Sequence, residues 1–210
     1  MKSWILCGMV GLAMLSCAQD TVKLPAPQKD GGMSLMQALA NRKTGREFSS
    51  KELSQQTLSS LLWAACGINR ADGRRTAPTG INCQDTDVYV VLPGGAYRYD
   101  HKAHALVLCT AGDHRELIAY RQAFPRQAGA TLLFVQDHGK TFGRSEVDKA
   151  RFGGIHTGAI MQNVYLFCAS EGLVCVAREQ LDRPRLAQVL KLSDNQKIVL
   201  STTVGYPQGK

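Results

Sequence analysis

The chain has 210 residues, 44% of them hydrophobic, and a formal net charge of +8. That is enough apolar material for one domain with a real core and too little for two comfortable ones. The positive balance would suit nucleic acid, anionic lipid or an acidic ligand, but no nucleic-acid motif is present and few aromatics lie near the basic clusters, so nucleic acid is not expected as a partner.

At the N-terminus Lys2 precedes an apolar run, Trp4 to Leu15, that reads as a secretory core segment and is too short to span a bilayer. Leu15-Ser16-Cys17 resembles a bacterial lipobox with Cys17 as the lipidated residue; the alternative is an ordinary cleaved signal with an incidental cysteine. Residues 1–16 are thus expected to be a lipoprotein-type signal peptide. Residues 17–32, with Pro25, Pro27, Gly31 and Gly32 and no apolar periodicity, are expected to be a tether. The domain itself is expected over 33–210, exported, periplasmic and held to the membrane through Cys17.

Ser34 with Gln37 three residues on is a capping box opening a helix to about Asn41. Arg42-Lys43-Thr44-Gly45-Arg46-Glu47-Phe48 follows, with three cations in five residues, a hydroxyl and a glycine. Cations, a hydroxyl and open backbone N–H groups are what a phosphate needs, because charge-assisted hydrogen bonds are the strong ones; the alternative is a solvated charge run. Leu58, Leu61, Leu62 and Ala65 at helical spacing predict an amphipathic helix over Ser54–Cys66, ended by Gly67. Residues 68–86 are polar and irregular. Within them lies Pro78-Thr79-Gly80-Ile81-Asn82-Cys83-Gln84. The amides of Asn82 and Gln84 each carry a donor and an acceptor, which suits a ring edge of alternating donors and acceptors such as that of a flavin; the alternative is an ordinary Pro-Gly turn.

Asp87 to Leu92 and Ala96 to Asp100, around Pro93-Gly94-Gly95, predict a hairpin, with a third strand from Ala105 to Cys109. A short helix is expected from Asp113 to Tyr120, a buried central strand from Ala130 to Val135, and a polar loop from Asp137 to Ser145. Glu146 to Gly172 predicts a long helix with Ile160, Val164, Leu166 and Phe167 in its apolar stripe, which Gly153-Gly154 either interrupts or starts. His156 lies near its start as a candidate proton donor, with a structural or surface histidine as the alternative. Gly172 to Asp182 then connects to a helix capped by Asp182 with Pro184 in its first turn; the bland reading of this connection is helix–strand–helix with a surface Arg178-Glu179 pair. A last strand covers Lys197 to Val204, and the chain runs out through Gly205-Tyr206-Pro207 to Lys210. The pattern is α+β, a mixed sheet with helices around it.

Seven cysteines occur, two of them in the first seventeen residues; the other five are an odd number with no CxxC pair, and Cys109, Cys168 and Cys175 sit in apolar runs, so core thiols are expected rather than a disulfide framework. His101 and His104 form one H-x-x-H without the further ligands that zinc requires. No Gly-x-Ser-x-Gly, P-loop or Rossmann fingerprint is present.

Four stretches, in order, carry a family resemblance. Residues 42–48 resemble the Arg-Arg-Ser-x-Arg-x-Phe signature of the nitroreductase-like flavoproteins, with Lys43 for the second Arg and Thr44 for Ser. Residues 78–84 are similar to that family's Pro-Ser-Ala-Gly-Asn-x-Gln, with Ile81 where Gly is common. Residues 172–182 resemble its flavin-passing connection, with Gln180 at a usual Gly, and Gly205-Tyr206-Pro207 resembles its C-terminal strand end. The hairpin residues Gly95, Tyr97, Tyr99, His104 and Leu106 resemble the SagB-like, thiazoline-oxidase-related branch. The resemblance implies the nitroreductase-like fold and an obligate homodimer with two FMN sites at the interface. It places the FMN phosphate on Arg42, Lys43, Thr44, Arg46 and Lys210, the ring edge on Thr79, Gly80, Asn82 and Gln84, and flavin N5 beside Ala177, Arg178 and Glu179. It implies ping-pong transfer between a small-molecule electron donor and acceptor. The alternatives are a SagB-like dehydrogenase and a flavin- or partner-binding lipoprotein without turnover.

Overall fold

The computed structural model describes residues 20–209; the expected signal segment, Cys17 and Lys210 lie outside the described residues. The middle layer is a seven-stranded sheet of β1 (Thr21–Lys23), β2 (Thr86–Leu92), β3 (Gly95–Asp100), β4 (Ala105–Ala111), β5 (Ala130–Asp137), β6 (Val174–Arg178) and β7 (Gln196–Gly205), in the order β1-β4-β3-β2-β5-β7-β6. The helices are α1 (Leu35–Asn41), α2 (Gln55–Cys66), α3 (Arg115–Ala119), α4 (Glu146–Ser170) and α5 (Arg183–Val189), with two short 3-10 turns at Gly80–Asn82 and Phe124–Gln127.

Every neighbouring pair in the sheet is antiparallel, which corrects the expected mixed sheet. The unit β5–α4–β6 reads like a parallel crossover, but its two strands are not neighbours. β7 fills the place between them and runs against both. Strand alternation supplies two cores. Val88, Val90, Leu132 and Phe134 meet α2 and α4 on one face, while Tyr89, Val91, Leu133 and Val135 meet α3 and α5 on the other.

The expected tether is, from Thr21 on, part of the fold. Thr21, Val22 and Lys23 pair with Val107, Leu106 and Ala105, and Leu24 is buried in the core. The Gln28 N–H donates to Ser60 Oγ (3.0 Å) and the Met33 N–H to Ser170 Oγ (2.8 Å). An extended segment satisfies its backbone by edge pairing and by borrowed hydroxyls, so it needs no periodic apolar pattern. The hairpin signature residues hold this strap. His104 lies 2.8 Å from the Tyr99 hydroxyl through Nδ1, and its Nε2 lies 2.7 Å from Ser59 Oγ and 3.0 Å from the Pro25 carbonyl. His101 turns instead to Arg75, so the two histidines do not converge on one ligand position.

The helix ends follow their caps. Ser34 and Gln37 form the capping box of α1, Ser54 caps α2, Ser145 caps α4, and Asp182 caps α5 with Pro in its first turn. Gly153 and Gly154 neither start nor break α4. A Cβ at Gly153 would sit 1.9 Å from Gln136 Oε1, so the glycine admits the Gln136 amide, which donates to the Lys149 carbonyl (2.7 Å) and to Thr141 Oγ1 (2.9 Å).

Candidate functional site

The cationic stretch is laid along the edge strand β6. The Gly45 N–H donates to the Cys175 carbonyl (3.0 Å), and a Cβ at Gly45 would meet Val174 Cγ1 at 2.6 Å. Phe48 anchors its end, fully buried against Ala128, Val176 and Phe124. Arg42 lies over the Tyr165 ring, 5.5 Å from its centroid. Thr44 Oγ1 is 3.0 Å from the Tyr165 hydroxyl, which also accepts the Ala177 N–H at 3.0 Å. Tyr165 of α4 therefore joins the first predicted stretch to the third. Among the described residues, none of Arg42, Lys43 and Arg46 has an acidic partner within ion-pair distance. Lys43, Tyr165, Cys175 and Pro207 line a recess of about 290 Å³ beside them.

The rest of the third stretch diverges. Arg178 is buried, donating to the carbonyls of Ile118 (2.8 Å), Ala119 (3.3 Å) and Gln180 (3.2 Å) and to Gln122 Oε1 (2.8 Å). Its side chain ties β6 to α3, so Arg178 is not half of a surface Arg-Glu pair. Glu179 is exposed, 4.0 Å from Arg183.

The second stretch is a strained loop on a buried base. Ile81, Asn82 and Gln84 have φ of 48°, 57° and 47°, a region costly for L-residues and worst for a β-branched one. Gln84 N–H donates to Thr79 Oγ1 (3.0 Å), and Gln84 Nε2 donates to the Gly73 carbonyl (3.1 Å) and Asn82 Oδ1 (3.2 Å), so Gln84 serves the loop itself. Asn82 stays exposed, and this bond uses its amide oxygen and not its nitrogen. Beneath lies His156. The Gly80 N–H donates to its Nε2 (2.9 Å), which therefore carries no proton; Nδ1 carries it and donates to Asp85 Oδ1 (2.8 Å). Asp85, fully buried, also accepts from Thr86 Oγ1 (3.2 Å) and Thr141 Oγ1 (2.7 Å). With both nitrogens engaged, His156 holds the loop, the structural alternative to a proton donor. Strain of this kind persists only where the surroundings over-determine it, and it gathers at functional sites.

Cys83, Asp85 and His156 bring ligand atoms within 4.8 Å of one another. Burial, and then the Asp85 charge, push the Cys83 thiol up, and the hydrogen bonds above use both His156 nitrogens and both Asp85 oxygens. The cluster is a polar foundation for the loop, not an open metal position.

The 79–84 loop and the 42–46 stretch rest on different sides of α4. His156 and Tyr165 stand nine residues apart on α4, about 13 Å along its axis and half a turn apart around it. They flank the buried stripe of Gly153, Ile160, Val164 and Cys168 on opposite sides.

A family model described as the nitroreductase family matches residues 39–206. A protein of Methanocaldococcus jannaschii named as a nitroreductase is 26% identical over 185 residues, covering 83% of this chain and 92% of that protein. A crystal structure from Ralstonia eutropha JMP134, also named as a nitroreductase, is 36% identical with a TM-score of 0.84, covering 100% of this chain and 97% of that one. A structure from Staphylococcus epidermidis named as an NAD(P)H:FMN oxidoreductase shares the fold at 12% identity, with a TM-score of 0.64 and coverage of 88% and 92%.

Proposed function

Since this chain belongs to the nitroreductase family, we propose that it is an FMN-dependent oxidoreductase acting as a homodimer. The observation that carries this reading is the set Arg42, Lys43 and Arg46, three cations within five residues that have no acidic partner among the described residues, with the Thr44 hydroxyl between them in sequence. Left alone such a set repels itself; a phosphate dianion neutralises it. The donor set fits the group. Arg42 and Lys43 supply charge, Thr44 a hydroxyl oriented by Tyr165, and Asn82 an exposed amide for the polar edge of a ring. The relative named as an NAD(P)H:FMN oxidoreductase agrees with FMN as that group. Bound FMN would supply two-electron transfer at its ring, alternately with a small organic donor and acceptor.

The residues themselves bind and orient. His156 and Asp85 fix the 79–84 loop through the Gly80 N–H, so that Asn82 is presented without a search through conformers. The Tyr165 hydroxyl engages the Ala177 N–H and Thr44 together, linking the phosphate grip to β6. Because the two halves flank opposite sides of α4, a complete site calls for the loop of a second copy. Leu35, Met36 and Leu39 of α1 and Ile81, Val147 and Ile155 near the loop are large apolar side chains left exposed, which supports a partner surface of the same chain. The apolar run ending at Cys17 supports work outside the cytoplasm on a lipid tether; among the described residues no helix is long and apolar enough to cross a membrane.

Titration with FMN and riboflavin, followed by quenching of flavin fluorescence, tests the assignment. One FMN per subunit is expected. Arg42→Ala should weaken FMN by about 1.5–3 kcal/mol, the worth of a hydrogen bond to a charged group, and riboflavin far less. No flavin affinity, or equal loss for both flavins, would refute it.

A further inference from the structure

Next to the strained loop lies a second recess, of about 410 Å³, lined by Arg70, Arg74, Arg75, Thr79, Ile81 and Asn82. We propose that it binds the carboxylate of the electron acceptor, so that the molecule this enzyme reduces is an organic anion. The proposal rests on the oxidoreductase reading and adds a substrate class to it.

The recess is built from two pieces of backbone that are both fixed. The turn carrying the arginines is closed by the Gly73 N–H to the Arg70 carbonyl (3.1 Å), the Asn69 N–H to the Arg74 carbonyl (3.1 Å) and a bridge between Ile68 and Arg75. The opposite wall is the 79–82 loop, pinned through Gly80 to His156. Arg75 is the buried member. Its terminal nitrogens reach the Thr86 carbonyl (2.8 Å), His101 (3.0 Å) and Asp87 (3.6 Å). Its Nε is buried without a hydrogen-bond partner among the described residues, so the guanidinium keeps its full charge close behind the recess wall. Arg70 and Arg74 are exposed. Among the described residues the Arg70 side chain is bound only through Nε to Asn69 Oδ1 (2.9 Å), and Arg74 meets Asp72 at 3.4 Å.

Charge counting points the same way. The acids beside the three guanidinium groups are Asp72 and Asp87, and Asp87 is shared with Lys140 Nζ at 3.3 Å. The surplus is positive. Guanidinium forks match a planar oxyanion, and Thr79 and Asn82 add neutral donors from the other wall. The cofactor phosphate has its own set at Arg42, Lys43 and Thr44, on the other flank of α4. An anion seated between Arg70, Arg74 and Asn82 would leave the rest of its molecule against the loop that presents the ring edge.

The test compares 4-nitrobenzoate with methyl 4-nitrobenzoate on the FMN-loaded full chain, since the pair differs in one charge, with 1-benzyl-1,4-dihydronicotinamide, an uncharged hydride donor, as the common reductant. The carboxylate should be preferred in kcat/KM by roughly tenfold or more, as one charge-assisted contact implies, and added salt should shrink the preference because Arg70 and Arg74 are exposed. Arg70→Gln with Arg74→Gln should erase the ratio, mainly through KM. Both side chains are on the surface, so the variant should keep its fold, whereas Arg75→Gln would orphan the Thr86 carbonyl and is not used. Calorimetric titration of 4-nitrobenzoate into protein with and without FMN gives a second readout. Heat lost in the double variant, in a protein without turnover, would support the recess and sink the oxidoreductase reading. Turnover with no charge preference, or a ratio unmoved by the double variant, would overturn the recess and leave that reading standing.

Discussion

His156 shows how much one side chain can fix. Its unprotonated Nε2 receives the Gly80 N–H and its Nδ1–H is received by buried Asp85. His156→Phe keeps a ring beside Phe142 but leaves the Gly80 N–H unpaired, at about 1–3 kcal/mol, and takes from Asp85 one of its three side-chain donors. The melting temperature should fall, and FMN and riboflavin should weaken by the same factor, because the loop serves the ring and not the phosphate. A loss confined to FMN would contradict this role. His101 makes a different statement. Burial, and then the Arg75 charge, push its imidazole down to about 4. In the unfolded chain histidine titrates near ~6.5, so on acidification the unfolded state takes the proton first. Stability is full above about pH 6.5 and falls as the pH drops from there toward about 4. His101→Gln should flatten that part of a plot of melting temperature against pH; an unchanged slope would assign it to other groups. At this scale the sequence shows chemistry that is local and hides chemistry that is not. Arg42, Lys43 and Thr44 are legible because they are consecutive. Tyr165, 121 residues from Thr44, and Asp85, 71 residues from His156, become functional only through the fold. The burial of the Arg178 side chain was not legible, because its donors go to carbonyls of α3 that no motif marks.

Among the elements, the 78–84 loop holds the clearest testable strain. Ile81 has φ 48° and is exposed. A non-glycine residue there costs about 1–2 kcal/mol, and glycine gives back about 0.5–1 through unfolded-chain entropy. Ile81→Gly should therefore stabilise by about 0.5–1 kcal/mol, a rise in melting temperature of about 1–4 °C for a domain of this size. A fall would mean that the Ile81 side chain makes contacts that outweigh the strain. Elements with their own periodicity were legible: α2, α4 and β5 stand where the apolar patterns predict, and the capping residues mark their starts. β1 was not, because three residues on a sheet edge have too little pattern to read. The antiparallel order was hidden for another reason. A strand, a long helix and a strand look the same whether or not a later strand slips between them.

For the molecule as a whole, the two flanks of α4 and the apolar side chains on α1 make assembly the main expectation. A stable dimer with the flavin between subunits should bury on the order of 2,000 Å² or more. Met36→Glu with Leu39→Glu places two charges on that face and should yield a folded monomer with weakened flavin affinity, read by light scattering and absorbance. A wild-type monomer that keeps stoichiometric FMN would refute the assembly.

The strap at the sheet edge also sets an order of events in time. The His104 to Pro25 contact spans 79 residues, whereas β2, β3 and β4 join through tight neighbouring turns. Closing long loops is slow relative to local pairing. In a chain that emerges N-terminus first, residues 20–33 must wait as open polypeptide until the hairpin that receives them is complete. During that interval β1 and the strap after it are at their most accessible to a protease, and docking of the strap brings the interval to an end.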